Sequence, residues 1–284
     1  MNKSKNKNWD QIIKPKTSLF DLRLNELWHY RDLIMLFVRR DFVSVYKQTI
    51  LGPLWYILKP LLTTIVFTII FNKFAKIPTD NLPPMLFYMA GTISWSYFAS
   101  CLKNTSTTFL TNENIFGKVY FPRLVIPVSV AISNLIAFAI QLLFFICFIA
   151  FYAYNGFSVN ISWSLLIIPY FLLLMAALGL GFGIIVSSLT TKYRDLAYLV
   201  EFGIQLFMYA SPVIYSVSGL PEKYQHLIML NPMSSVIEGF RYSLLGTGIF
   251  NFYNILYSTI FALIILIIGI LLFNKVEKTF MDTV

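Results

Sequence analysis

Charge is scarce in this chain. Only 12% of its 284 residues are Asp, Glu, Lys or Arg, while 57% are hydrophobic, against about a quarter charged and about half apolar in soluble domains. An apolar surplus of that size has to face lipid rather than one water-shielded core. Histidine and cysteine are scarce too, two of each. Cys101 and Cys147 lie in or beside apolar runs and read as small buried hydrophobes, not as a disulfide or a metal pair. His29 and His226 both lie outside the long apolar runs, which argues against an intramembrane serine protease. Nucleotide hydrolysis lacks its loop: Gly117-Lys118 is followed by Val119, where a phosphate-cradling loop would continue with Ser or Thr. Residues 1–26 also lack the charged start, apolar stretch and small-residue cleavage pattern of a secretory leader.

What is present is a series of apolar runs. Crossing about 30 Å of hydrocarbon takes about 20 helical residues, and six segments approach that length: 54–71, 85–102, 124–152, 163–189, 197–215 and 252–273. The expected fold is therefore an all-α integral membrane protein with six transmembrane helices. An even number puts both termini on one side. The formal net charge of +9 is not spread as in a nucleic-acid-binding domain, so no nucleic-acid partner is expected. Residues 1–50 hold ten Lys and Arg, and Lys59, Lys103, Lys118, Arg123, Lys192, Arg194, Lys275 and Lys278 fall on the same expected side. That makes 18 of the 22 basic residues, leaving Lys73, Lys76, Lys223 and Arg241 opposite. Positive loops stay inside, so both termini are expected in the cytoplasm.

The chain divides into a Lys-rich cytoplasmic tail (1–23), a basic amphipathic segment (24–52) and the transmembrane domain (53–284). In the second part Leu27, Ile34, Val38, Phe42, Val45 and Tyr46 alternate at helical spacing with Arg31, Arg39, Arg40, Asp41 and Lys47. Too charged to cross, such a helix lies in the interface plane or is solvated in the tail, and Gly52-Pro53 turns the chain into the bilayer. Lys59 and Pro60 leave about twelve uncharged residues before Asn72, roughly 18 Å of helix. The first span must begin nearer Leu54, with Lys59 snorkelling to the headgroups or lining a polar cavity between subunits.

Residues 216–250, between the fifth and sixth spans, are too apolar for a water-exposed loop and too interrupted to cross. Pro221 opens one short helix, and Asn231-Pro232 breaks it, with Asn231 as the cap and Pro232 at the first position of the next. The second helix sets Met233, Val236, Ile237, Phe240 and Leu244 on one face, with Glu238 and Arg241 close enough to pair. This is the pattern of an outer re-entrant or interfacial hairpin. Glu201 is the main candidate for a proton relay, or is merely interfacial. Aromatics, 17% of the chain, serve either as the interfacial belt or as flat faces for sugar rings.

Four local patterns give a family resemblance over nearly the whole chain after residue 20: VRRDFVSVYKQTILGPLWYILKP (38–60), NENIFGKVYFPRLVIP (112–127), TTKYRDLAYLVEFGIQLFMYASPVIY (190–215) and LNPMSSVIEGFRYSLLG (230–246). Together they resemble the membrane permease subunit of ABC exporters for O-antigen, teichoic acid and capsular polysaccharide. The resemblance implies a homodimeric channel in a bacterial inner membrane, with two copies of a cytoplasmic ATP-binding subunit beneath it. It implies no enzyme activity and no cofactor in this chain, since ATP and Mg belong to the partner, and a lipid-linked glycan as the cargo. The segment before Gly52, with Arg39, Arg40, Asp41 and Lys47, resembles the gate helix. Within the loop 103–123, Thr107, Asn112, Glu113, Asn114, Phe116 and Lys118 resemble the ATPase-coupling element. The hairpin residues Asn231, Pro232, Glu238 and Arg241 resemble the outer re-entrant element, and Lys59, Tyr88, Trp95, Phe98, Tyr209 and Tyr215 are candidates for the translocation pathway. The rival readings are a permease of the same class for small apolar drugs or lipids, a membrane enzyme acting on lipid-linked sugars, and a structural or ion-channel role.

Overall fold

A computed structural model describes residues 24–47, 49–116, 118–119, 121–157 and 163–283. The expected tail, 1–23, lies outside the described residues. Helices α1 (Leu24–His29) and α2 (Arg31–Tyr46) lead into a 3-10 turn, Gly52–Leu54, and α3 (Trp55–Phe67), which continues as a π-helical segment, Thr68–Phe74. Then come α4 (Pro84–Ser106), the short α5 (Thr108–Thr111) and α6 (Glu113–Phe116), and the long α7 (Val125–Tyr154). A 3-10 turn, Trp163–Ile167, opens α8 (Ile168–Thr190), followed by α9 (Leu196–Tyr209), α10 (Glu222–Met229), α11 (Pro232–Leu245) and α12 (Phe252–Thr283). Among the described residues there is no strand.

Among the described residues, four helical stretches are long and apolar enough to cross a membrane: Gly52–Phe74, Val125–Tyr154, Trp163–Thr190 and Phe252–Val276. They coincide with the first, third, fourth and sixth expected spans. The first does begin near Leu54, and Lys59 is exposed on it. The second, α4, has the length, with 23 residues, but Thr92, Ser94, Ser96 and the run Lys103 to Ser106 dilute its apolarity. The fifth is shorter than the sequence suggests. Helix α9 stops at Tyr209 rather than 215, and its 14 residues reach about 21 Å. Pro212 has no amide to extend the ladder, and the Val213 amide instead donates to the Ser211 carbonyl at 2.7 Å.

Helix α8 is the centre of the bundle, packed against α4 on one side and α12 on the other. Its glycines explain the closeness. A Cβ at Gly179 would lie 2.7 Å from Cys101 Cβ, one at Gly183 would lie 2.6 Å from Thr105 Cβ, and one at Gly181 would lie 2.8 Å from Ile265 Cγ2. Gly179 and Gly183 thus form a small-residue stripe facing α4, while Gly181 faces α12. Lipid tails are as apolar as leucine, so burying aliphatic surface contributes little to helix association here; close backbone approach and polar ties must supply it. The outward faces of α7 and α12 carry Leu143, Ile146, Phe151, Ile260, Leu263 and Ile267, all exposed and all apolar, as lipid contact requires. Cys147 is on such an outward face, exposed, which corrects the expectation that both cysteines are buried; Cys101 is.

The long helix α4 runs from a hairpin end, where α10 and α11 sit, to an opposite end capped by α5 and α6. Its Leu86 to Ile93 stretch is almost wholly enclosed. At the hairpin end Gly91 permits the closest approach, because a Cβ there would lie 2.6 Å from the Val213 carbonyl oxygen. At the other end a separate apolar cluster joins α2 to the loop helices: Phe37, Phe109, Phe116, Phe121, Val125 and Phe273. Phe109 stacks on Phe273 at 4.5 Å and on Phe116 at 5.8 Å.

Candidate functional site

Two polar sites stand out, one at each end of α4. At the hairpin end, Asn231 accepts a hydrogen bond from the Met233 amide at 3.0 Å while its side-chain amide donates to Ser211 Oγ at 2.8 Å. Pro232 follows at the first helical position, as the sequence predicts. Asn231→Ala is expected to cost about 1–2 kcal/mol through the lost cap, read as a lower melting temperature of the detergent-solubilised protein. The face of α11 bearing Met233, Val236, Ile237 and Phe240 is fully enclosed.

One turn further, Arg241 Nη1 bonds Glu238 Oε1 at 2.6 Å, and both side chains have no exposed surface. Helical spacing of three residues brings them together, but the rest of their surroundings is long-range. Arg241 Nη2 donates to the Pro212 carbonyl at 2.8 Å, its guanidinium lies 3.8 Å from the centre of the Phe87 ring, and the Ile249 amide donates to Glu238 Oε2 at 3.1 Å. Burial pushes the Glu238 carboxyl above the ordinary carboxylate range, and Arg241 and the Ile249 amide draw it back. Burial likewise lowers Arg241, opposed by Glu238. The group is a clamp that fixes α11 to α4 and to the loop after α9.

Asp80, which the sequence reading missed, extends the clamp. It sits at φ 52° in the turn after the π segment and accepts hydrogen bonds from Ser216 and, at 2.6 Å, from Ser218. A Gly or Asn scan of the turn could have flagged Asn81 and Asp80 as left-handed positions, but the serines lie more than a hundred residues away in the chain.

At the other end, α5 and α6 replace a single continuous coupling element. Asn112 breaks them: its side chain turns back to donate to the Thr108 carbonyl at 3.0 Å and to Thr111 Oγ1 at 2.9 Å. Asn112 and Phe116 face inward and are buried, Thr107 and Glu113 are half-buried, and Asn114 and Lys118 are exposed. Arg40 Nη1 approaches Asn112 Oδ1 at 3.4 Å and pairs with Asp41 at 2.8 Å, tying α2 to the loop. Arg39 and Lys47 point to the exterior. Arg123, another residue the sequence reading left as a loop charge, is buried with its guanidinium 5.3 Å from the Phe116 ring centre. Lys103 pairs with Glu201 across α4 and α9, both half-exposed.

The pathway candidates separate into two groups. Tyr88, Trp95 and Phe98 are enclosed within the chain's own fold, Trp95 against Phe207 of α9 at 5.8 Å. Lys59 and Tyr209 are exposed and Tyr215 is half-buried.

The chain from α2 to the end of α11, residues 32–245, matches the ABC-2 type transporter domain. The chain belongs to the ABC-2 type transporter family. It is 32% identical over 251 residues to the O-antigen export system permease protein RfbA of Klebsiella pneumoniae, covering 88% of this chain and 94% of that one. The RfbA of Myxococcus xanthus is 27% identical, covering 77% of this chain and 82% of the relative. The polysialic acid transport protein KpsM of Escherichia coli is 24% identical over 82% of this chain and 89% of its own. In this ABC-2 transporter chain the α5–α6 loop and all of the clamp except Ile249 lie inside the matched region.

Proposed function

We propose that this chain is the channel-forming permease subunit of an ATP-driven exporter that carries a lipid-linked cell-surface polysaccharide, of the O-antigen or capsule kind, out across a bacterial inner membrane. The observation that carries the reading is the near full-length similarity to O-antigen export permeases, 88% of this chain against 94% of the relative. The helical architecture supports it. We read the four strongly apolar helices and α4 as spans and the shorter α9, with the chain after it to Tyr215, as the fifth crossing, which puts the Lys-rich side and both termini in the cytoplasm.

Helix α9 buries no residue within the protomer and exposes Phe202, Leu206 and Tyr209. A second copy packed there, with Lys59 and Tyr209 near the seam, would give the homodimeric channel its wall. The exposed residues Asn114 and Lys118 on the α5–α6 loop are the surface on which a separate ATP-binding subunit would push, supplying the hydrolysis with its own ATP and Mg. The clamp holds the hairpin at the exit, so force arriving at the α5 end of α4 is transmitted along a helix already fixed at its far end.

The test is deletion of the gene followed by extraction of isoprenoid-linked glycans and mass spectrometry, alongside surface glycan. Accumulation inside with loss from the surface is the expected result. An unchanged surface with no accumulation would remove the polysaccharide reading and leave export of small apolar solutes.

A further inference from the structure

A cavity of about 380 Å³ opens between α2, the start of α3, the end of α4 with the α5–α6 loop, and α7, a size within the roughly 300–1,000 Å³ of small-ligand sites. From α2 come Arg40, Asp41 and Phe42; from α3, Tyr56; from the loop side, Thr111 and Asn112. Helix α7 closes it with Ser133 and Asn134. We infer that this cavity is a binding site for an uncharged sugar residue of the cargo, read on the cytoplasmic side; the inference rests on the export reading above.

The chemistry of the wall selects the ligand class. Its cation and its anion are already paired, Arg40 with Asp41 at 2.8 Å, so an entering phosphate would find no free positive charge and a carboxylate beside it. A neutral polyol meets no such penalty. The remaining polar groups are amides and hydroxyls, which both donate and accept, as sugar hydroxyls do. The rings of Phe42 and Tyr56 offer apolar faces to sugar C–H bonds. The Ser133 side chain lines this cavity, and its hydroxyl, turned away from the open space, has no hydrogen-bond partner among the described residues; rotation about its Cα–Cβ bond would bring it to a ligand there. A buried hydroxyl without a partner is costly unless something fills the space beside it.

Position gives the site its consequence. Arg40 meets Asn112 at 3.4 Å, a long contact that a sugar hydroxyl replaces with two shorter ones once the two side chains move apart. A sugar seated here touches α2 and the α5–α6 loop at once, so the loop that faces the ATP-binding subunit senses whether cargo is present.

The experiment uses the full chain with its ATP-binding subunit in cells that make the glycan, with p-benzoylphenylalanine in place of Phe42 and, separately, of the exposed Ser44. After irradiation, the expected result is an adduct whose mass includes sugar, absent from a strain unable to assemble the lipid-linked glycan. The adduct should fall about five-fold with Asn134→Ala or Ser133→Ala, while the complex still assembles. Adducts to phospholipid alone, or no adduct from a variant that still exports, would overturn the inference. The two readings fail separately. If gene deletion leaves the surface glycan intact, the export reading falls whatever the adduct; if deletion removes it and no sugar adduct forms, the cavity assignment alone falls.

Discussion

Arg241→Ala should destabilise the protein by about 3–5 kcal/mol, the figure expected when one partner of a buried ion pair is removed and the other is left uncompensated. Glu238 would keep a single donor, the Ile249 amide at 3.1 Å, with no exposed surface through which water could solvate it. The Pro212 carbonyl would lose the partner that now lies 2.8 Å away. Glu238→Ala should cost a similar amount. The double replacement Glu238→Leu with Arg241→Met removes both charges and keeps the volume, so it should recover much of the loss, as apolar replacement of whole buried pairs often does. It should not recover all of it, because Pro212 and Ile249 still lose their partners. Melting temperatures in detergent of the parent, Glu238→Leu, Arg241→Met and the double replacement form a double-mutant cycle that separates the pair from its surroundings. If Arg241→Ala melts with the parent, the clamp is not what holds the hairpin.

The second large effect is expected at the α4–α8 seam. Gly179→Val and Gly183→Val should each cost about 1–3 kcal/mol from overpacking and should abolish assembly when combined. The obstacle is partly backbone: a Cβ at either position comes within 3.0 Å of a carbonyl oxygen of α4, Phe98 O or Leu102 O. Backbone cannot rotate aside as a flexible side chain can. Gly203 on α9 is the control, since nothing lies within 4 Å of a Cβ built there. Gly203→Ala should be neutral or stabilising by up to about 1 kcal/mol from helix propensity alone. Yield and melting temperature of the purified variants check all three.

Local signals in the sequence were reliable where local physics decides the structure. Asn231-Pro232 specifies a cap and a first helical turn whatever surrounds it, and Glu238 and Arg241 meet because they are one turn apart. The end of α9 was harder: the apolar run from Phe207 to Tyr215 continues through Ser211-Pro212, and hydropathy does not register a missing amide. The loop 107–118 was expected as one coupling element, but Asn112 bonds back to Thr108 and splits it, a competition between side chain and ladder that composition does not show. Burial of Tyr88, Trp95 and Phe98 was illegible for another reason. In a bilayer an aromatic residue is equally at home against lipid, protein or a lined route, so its type does not say which way it points. Asp80, Arg123 and the α2–α7 cavity depend on contacts between distant segments, and no pattern in one stretch announces them.

The most direct test of the account places this chain and its ATP-binding subunit in inverted membrane vesicles loaded on the outer surface with lipid-linked glycan, and follows protection of the glycan from an added glycosidase. Export as described predicts that ATP makes the glycan progressively inaccessible, and that omitting either subunit abolishes protection. Glycan that stays fully accessible while ATP is hydrolysed would contradict it.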